Sequence, residues 1–210
     1  MKVTALRVQD RNKGRANVSL DGKFAFGLAK LIAARLAIGQ ELDEPAIERL
    51  RQEDEVEQAY ERALKFLGPR PRSEAEVRRR LQKAKVPASA VEAVVARLKR
   101  AGLTDDQAFA NYWVDNRATF RPRSKRALRS ELKQKGLGDD ALQAALAAVD
   151  DGGAAYALAR QRARRLAGLE YPDFRRKLGE FLARRGFDYD TLLPIVERVW
   201  KEQTEGTVDE

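Results

Sequence analysis

The spacing of apolar residues changes character near residue 40. Before it, Val3-Thr4-Ala5-Leu6-Arg7-Val8-Gln9 is β-branched and partly alternating, and Ala16-Asn17-Val18-Ser19-Leu20 alternates strictly. That is strand period. Asn12-Lys13-Gly14 supplies a turn, and Asp21-Gly22 is the favoured two-residue hairpin turn, with Lys23-Phe24-Ala25-Phe26 as the returning strand. Two or three strands do not stand alone in water. Leu31, Ile32, Ala34 and Leu36 are expected to cover them as a short helix ending near Gly39. Residues 1–40 therefore read as a small N-terminal β-hairpin domain with a short helix.

Beyond that point the period is helical. Asp43 is placed to cap a helix that carries Pro45 in its first turn. Nine acids fall between residues 41 and 62, against Arg49, Arg51 and Arg62. Residues 41–56 read as an acidic linker helix, a solvated connector rather than a partner-facing element.

The remaining pattern repeats. Pro71-Arg72-Ser73 returns as Pro122-Arg123-Ser124, a shift of 51 positions. At the same shift Val77, Leu81 and Val86 fall on Leu128, Leu132 and Leu137, and Val91, Val95 and Leu98 fall on Leu142, Leu146 and Val149. A third copy follows 50 positions later, with Leu178, Leu182, Gly186, Phe187, Leu192, Val196 and Val199 at equivalent places. A fixed period of this size marks a tandem-repeat architecture. Each repeat divides into three short helices. Capping boxes are expected at Ser73/Glu76, at Ser89/Glu92 and from Thr104 to Gln107, with Ser124 and Asp139 or Asp140 as further caps. Gly102 and Gly136 close helices, and Asp151-Gly152-Gly153 reads as a joint. The expected fold class is mainly α: three tandem three-helix repeats in an elongated array, preceded by the β-hairpin domain. The boundaries are 57–103, 104–150 and 151–200, with 201–210 as a tail and its last five residues frayed.

Chemistry is constrained by what is absent. With no His and no Cys, the chain lacks an imidazole base, a thiol nucleophile and a Cys/His zinc site. No glycine-rich phosphate loop occurs. Asp105-Asp106 and Asp139-Asp140 are paired carboxylates of the kind two-metal nucleases use, but both sit at helix starts, where capping accounts for them. No enzymatic activity, metal or cofactor is expected. The absence of Cys, of a long apolar run and of a secretory leader points to a cytoplasmic protein with no membrane association.

Charge changes the picture most. Lys and Arg number 41 against 32 acids, a net charge of +9, which favours a polyanionic partner. The cations cluster once per repeat: eight over residues 65–85, eight over 117–135 and nine over 160–185. Arg70, Arg72 and Arg78 recur as Arg121, Arg123 and Arg129, whereas the third copy has Tyr171, Asp173 and Gly179 there; Lys125-Arg126 matches Arg175-Arg176 instead. These ten arginines and lysines are the candidate contacts, displayed in register for a ligand that also repeats. Arg79 and Lys83 read as a solubilising face, and Phe109, Tyr112, Trp113 and Trp200 as core.

At these motifs the sequence resembles the RecX family, small regulators of the RecA recombinase. The matching pieces are Arg70-Pro71-Arg72-Ser73-Glu74, Gly102-Leu103-Thr104-Asp105-Asp106 with Phe109-Ala110, and Glu131-Leu132-Lys133-Gln134-Lys135-Gly136; the Asp21-Gly22 hairpin with Phe24-Ala25-Phe26 looks like an extension many members carry. It departs at Phe120-Arg121-Pro122, where members often have a glycine-rich step. The resemblance implies a curved monomer lying in the groove of a RecA–DNA filament, touching RecA and single- or double-stranded DNA. It implies inhibition of RecA ATP hydrolysis and strand exchange, in homologous recombination and DNA repair. The reading that needs no such partner is a stand-alone nucleic-acid-binding protein.

Overall fold

A computed structural model describes residues 1–205. The chain is mainly α, with three tandem three-helix repeats behind a small antiparallel sheet. It divides into two compact units, Met1–Thr104 and Asp105–Glu210.

In the first unit, strands β1 (Val3–Val8), β2 (Arg15–Leu20) and β3 (Lys23–Ala29) pair in chain order. Asp21 and Gly22 have φ of 47° and 82°, the left-handed pair that this hairpin turn requires. Val3, Val18, Leu20, Phe26 and Leu28 form the inward face. The cover differs from expectation. Helix α1 (Lys30–Ala33) is a single turn that buries Ile32 and Ala33, while Leu31 is 70% exposed and Ala34 faces solvent. Positions 31 and 34 share one helix face, so a helix this short cannot bury both pairs against one sheet. Leu42 and Ile47 complete the cover.

Ile47 belongs to α2 (Glu44–Leu67), an unbroken helix of 24 residues, so the expected boundary between residues 56 and 57 corresponds to no break in the chain. Its one proline lies at the helix start, where no amide is lost, and Asp43 accepts the Ala46 N–H at 2.8 Å. Nor is its acidic character wholly solvated. Asp54 is buried and accepts from Arg15 at 2.8 and 3.2 Å, from the Ala29 N–H at 2.5 Å and from Gln58 at 2.7 Å. That network ties the sheet to the helix. Further along, Ala59 and Ala63 pack on Val77 and Leu81 of α3 (Glu74–Lys83) and on Val94 and Leu98 of α4 (Ala88–Arg100). Ser73 and Glu76 form the expected capping box. Ser89 and Glu92 do not, because α4 begins at Ala88 behind Pro87, which leaves Ser89 inside the first turn and Glu92 free to pair with Arg78. Gly102 follows α4 at φ 66°.

The second unit holds α5 (Asp106–Phe120), α6 (Lys125–Gln134) and α7 (Asp139–Leu146), then α8 (Asp151–Ala163), α9 (Tyr171–Arg184) and α10 (Tyr189–Glu205). Phe109, Leu128, Leu132, Leu142 and Leu146 form one core, and Phe174, Leu178, Leu182, Leu192, Val196 and Val199 belong to the other. Trp200 packs against Phe174 with ring centres 5.0 Å apart, but the expected aromatic core of α5 is only partly realised: Phe109 is buried and Trp113 half-buried, while Tyr112 is exposed.

Three helix starts also shift. Asp105, not Thr104, caps α5, accepting from the N–H groups of Gln107 and Ala108. Helix α7 begins behind Gly138 with no side-chain cap, so Asp139 and Asp140 are first-turn charges and Asp139 instead lies 3.5 Å from Lys133. Asp151-Gly152-Gly153 is not a joint but the first turn of α8: Asp150 caps the Gly152 N–H at 3.0 Å, and a Cβ at Gly153 would stand 2.5 Å from the Asp150 carboxylate. Those glycines make room for a cap. At the far end, residues 201–205 continue α10, with Gln203 donating to the Ala163 carbonyl at 3.1 Å; the expected frayed tail, 206–210, lies outside the described residues.

Candidate polyanion-binding site

In the first repeat the basic centre surrounds Pro71-Arg72-Ser73, which leads into the capping box of α3. Arg70 is neutralised: its guanidinium donates to Glu76 at 2.9 and 3.3 Å, the same carboxylate that closes the box. Arg78 is neutralised by Glu92 of α4. Arg72 has no ion-pair partner among the described residues. Its guanidinium carbon lies over Phe66, 4.2 Å from the ring centre, with that of Arg80 at 5.8 Å from the same ring. Burial, and then the like charge of Arg70, hold its pKa below the usual arginine value.

The second repeat has the same order of three helices and a different charge circuit. Arg121 stands where Arg70 does, but position 127 is Ala instead of the acid at 76; Arg129 stands where Arg78 does, but position 143 is Gln instead of the acid at 92. Neither Arg121 nor Arg129 has an ion-pair partner among the described residues. Arg123, in turn, sits 3.0 Å from Glu131, which also takes Arg117 at 2.7 Å and the Trp113 indole N–H at 2.8 Å. Glu131 occupies the position of Arg80 in the first repeat. The two centres are thus complementary. Where one leaves Arg72 and Arg80 uncompensated, the other leaves Arg121 and Arg129.

A residue the sequence reading passed over, Arg185, joins this second centre. The end of α9 packs on the start of α6: the Ser124 N–H and hydroxyl donate to the carbonyls of Arg185 and Gly186 at 3.1 and 2.7 Å, and Arg126 donates to Gly186 at 3.2 Å. Lys125 contributes its amide, which donates to Asp151 at 2.6 Å. Arg185 reaches back to the Pro122 carbonyl at 3.3 Å and lies over Phe181. Its pKa is lowered by burial first, then by Arg121 and Arg123, so three guanidiniums crowd one loop. An oxyanion would relieve their repulsion. A legible signal existed. Lys135-Gly136 and Arg185-Gly186 place a cation before the closing glycine in both copies.

In the third repeat Arg175 is exposed and without an ion-pair partner among the described residues, whereas Arg176 pairs with Asp173 at 2.9 Å and Glu180 at 3.5 Å. Of the ten candidates, four (Arg70, Arg78, Arg123 and Arg176) are tied to carboxylates. No helix among the described residues is long and apolar enough to cross a membrane, and no group of three or more potential ligands among them is placed to hold a metal ion.

Comparison with known proteins matches this organisation piece by piece. Residues 1–43 match the regulatory protein RecX N-terminal domain, and 59–98, 105–146 and 151–192 match the first, second and third three-helix domains of RecX. Regulatory protein RecX of Leuconostoc mesenteroides is 30% identical over 96% of this chain and 77% of its own length. That of Levilactobacillus brevis is 32% identical over 90% and 72%, and that of Limosilactobacillus reuteri 35% identical over 69% and 55%. A crystal structure of regulatory protein RecX superposes with a TM-score of 0.74 at 28% identity, covering 95% of this chain and 98% of the other. With its N-terminal domain and all three helical domains matched in order, the chain belongs to the RecX family of regulatory proteins.

Proposed function

We propose that the chain is a non-enzymatic regulator that binds a RecA–DNA filament and inhibits RecA ATP hydrolysis and strand exchange. The observation that carries this reading is the guanidinium cluster on the Arg121–Ser124 loop. Arg121 and Arg185 have no carboxylate in ion-pair contact, and Arg185 is half-buried among like charges. Such an arrangement is costly unless an anion visits it. Arg129, on α6 after that loop, and Arg72, on the loop before α3 in the first repeat, add uncompensated charge. Arg70 and Arg123 then act chiefly by holding these loops, while Arg78 ties α3 to α4 and Arg176 pairs within α9.

DNA-dependent ATP hydrolysis by RecA, followed as this protein is titrated in, is the deciding measurement. Progressive inhibition supports the reading, and its absence at excess over RecA removes it. The same cluster also suits naked nucleic acid. Stand-alone binding predicts tight complexes with free duplex whose affinity falls steeply with salt, by a log–log slope of about −0.9 per neutralised phosphate. Weak binding to free DNA beside strong filament inhibition separates the two.

A further inference from the structure

The third repeat carries glycine where the first two carry arginine. Gly179 occupies the place of Arg78 and Arg129, and the missing side chain leaves a recess of about 480 Å³ between α9 and α10. Its lining includes Tyr171, Pro172, Arg175, Gly179, Tyr189 and Leu192. The volume lies within the roughly 300–1,000 Å³ of small-ligand sites.

Each wall has a definite chemistry. Tyr189 is 70% exposed, an unusual state for so large a ring. Tyr171 is held from behind by Trp200, their ring centres 5.3 Å apart, so it is a stiff platform. Leu192 and Pro172 keep the recess apolar. Of its two guanidiniums, Arg176 is matched by Asp173 and Glu180, which leaves Arg175 as the uncompensated charge. A ligand suited to these walls is flat and apolar on its faces and carries a negative charge at one edge. A nucleotide has that form, provided its base is not already stacked in a duplex.

We propose that this recess binds an unstacked base of single-stranded nucleic acid, with the base against Tyr171 and Tyr189 and the adjoining phosphate on Arg175. The third repeat carries nine cations to three acids over residues 160–185, a balance that favours the rest of the strand. The site does not depend on the filament reading. RecA inhibition and base binding are measured separately, and either stands if the other fails.

The test is fluorescence anisotropy with a short thymidine oligonucleotide, its uridine counterpart, and an abasic strand of equal length and charge. The wild-type chain is expected to bind the thymidine strand about tenfold more tightly than the abasic one, the order that stacking of one base contributes. The uridine strand adds the 2′-hydroxyl and lacks the thymine methyl; binding of either base-bearing strand over the abasic one supports the site. Gly179→Arg is the discriminating variant. It adds a positive charge but fills the recess, and a Cβ at that position meets only Leu192 at an ordinary 3.8 Å. The expected result is weaker binding of the thymidine strand despite the added charge, and loss of the preference over the abasic strand. Tyr189→Ala should act the same way and Tyr189→Phe should restore binding, with far-UV circular dichroism reporting the fold of each variant. Equal wild-type affinity for the abasic strand, or tighter binding by Gly179→Arg, would overturn the proposal.

Discussion

Glu131 holds Arg123 at 3.0 Å, and the residue at the position of Glu131 in the first repeat is Arg80. Two exchanges between the repeats, Arg80 to Glu131 and Phe66 to Arg117, accompany the change of partner of the recurring arginine. Arg123 meets a carboxylate, whereas Arg72 meets the ring of Phe66. Glu131→Gln should separate stability from binding in the second repeat. The amide still accepts from Trp113 but loses the charge-assisted bond from Arg117 and the ion pair with Arg123, at a cost of about 2 kcal/mol. It also releases two cations. Denaturation followed by tryptophan fluorescence should show the loss, while filament inhibition strengthens and becomes more salt-sensitive. Unchanged salt sensitivity would mean that these cations do not face the anion.

The same comparison redirects the arginine test. From the sequence, neutralising Arg72 and Arg123 together is expected to harm filament inhibition more than neutralising Arg175 and Arg176. The structure assigns Arg123 to Glu131, so its loss mixes folding with binding. Arg121→Gln with Arg129→Gln is the cleaner pair, since neither has an ion-pair partner among the described residues. RecA ATPase inhibition should weaken at unchanged helix content. Arg70→Gln with Arg78→Gln, at the equivalent positions, should weaken it less, because Glu76 and Glu92 already offset those charges. Equal effects from the two pairs would refute the complementary charge circuit.

Period carried most of the fold. The 51-residue shift placed Val77, Leu81, Leu128 and Leu132 in the cores, where all are buried, and Ser73 and Ser124 at helix starts, where both cap. Where the reading failed, a local rule met a competing contact. Ser89 and Glu92 have capping-box spacing, but α4 starts behind Pro87 and takes Ser89 into its first turn; Gly152 and Gly153 look like a hinge, but they admit the Asp150 side chain. The site was only half legible. Recurrence shows which arginines repeat, while their partners at positions 76, 80 and 92 change identity between copies. Arg185 lies 61 residues from Ser124 in sequence, so only the packing of α9 on α6 reveals it.

Asp54 is the clearest stability prediction in the first unit. Its carboxylate is 5% exposed and satisfies Arg15, the Ala29 amide and Gln58 together. Asp54→Ala would leave a half-buried guanidinium and a buried amide unpaired, at about 3–5 kcal/mol. Hydrogen exchange should show residues 1–43 losing protection first. Tryptophan fluorescence should scarcely respond, because Trp113 and Trp200 both lie in the second unit.

Gly186 tests the joint between the second and third repeats. It has φ of 97°, and a Cβ there would stand 2.6 Å from both the Ala127 Cβ and the Ser124 hydroxyl. Gly186→Ala therefore adds a steric clash to the left-handed strain of about 1–2 kcal/mol that any L side chain meets. Gly168→Ala is the matched control: its φ is 82° with nothing within 4 Å, so it should carry the strain alone. Denaturation of the second unit should show Gly186→Ala as the more destabilised of the two. Because the Ser124–Gly186 bond positions the loop bearing Arg121 and Arg123, only this variant should also weaken RecA inhibition under conditions where both proteins remain folded. Equal inhibition by the two glycine variants would detach the joint from the arginine cluster.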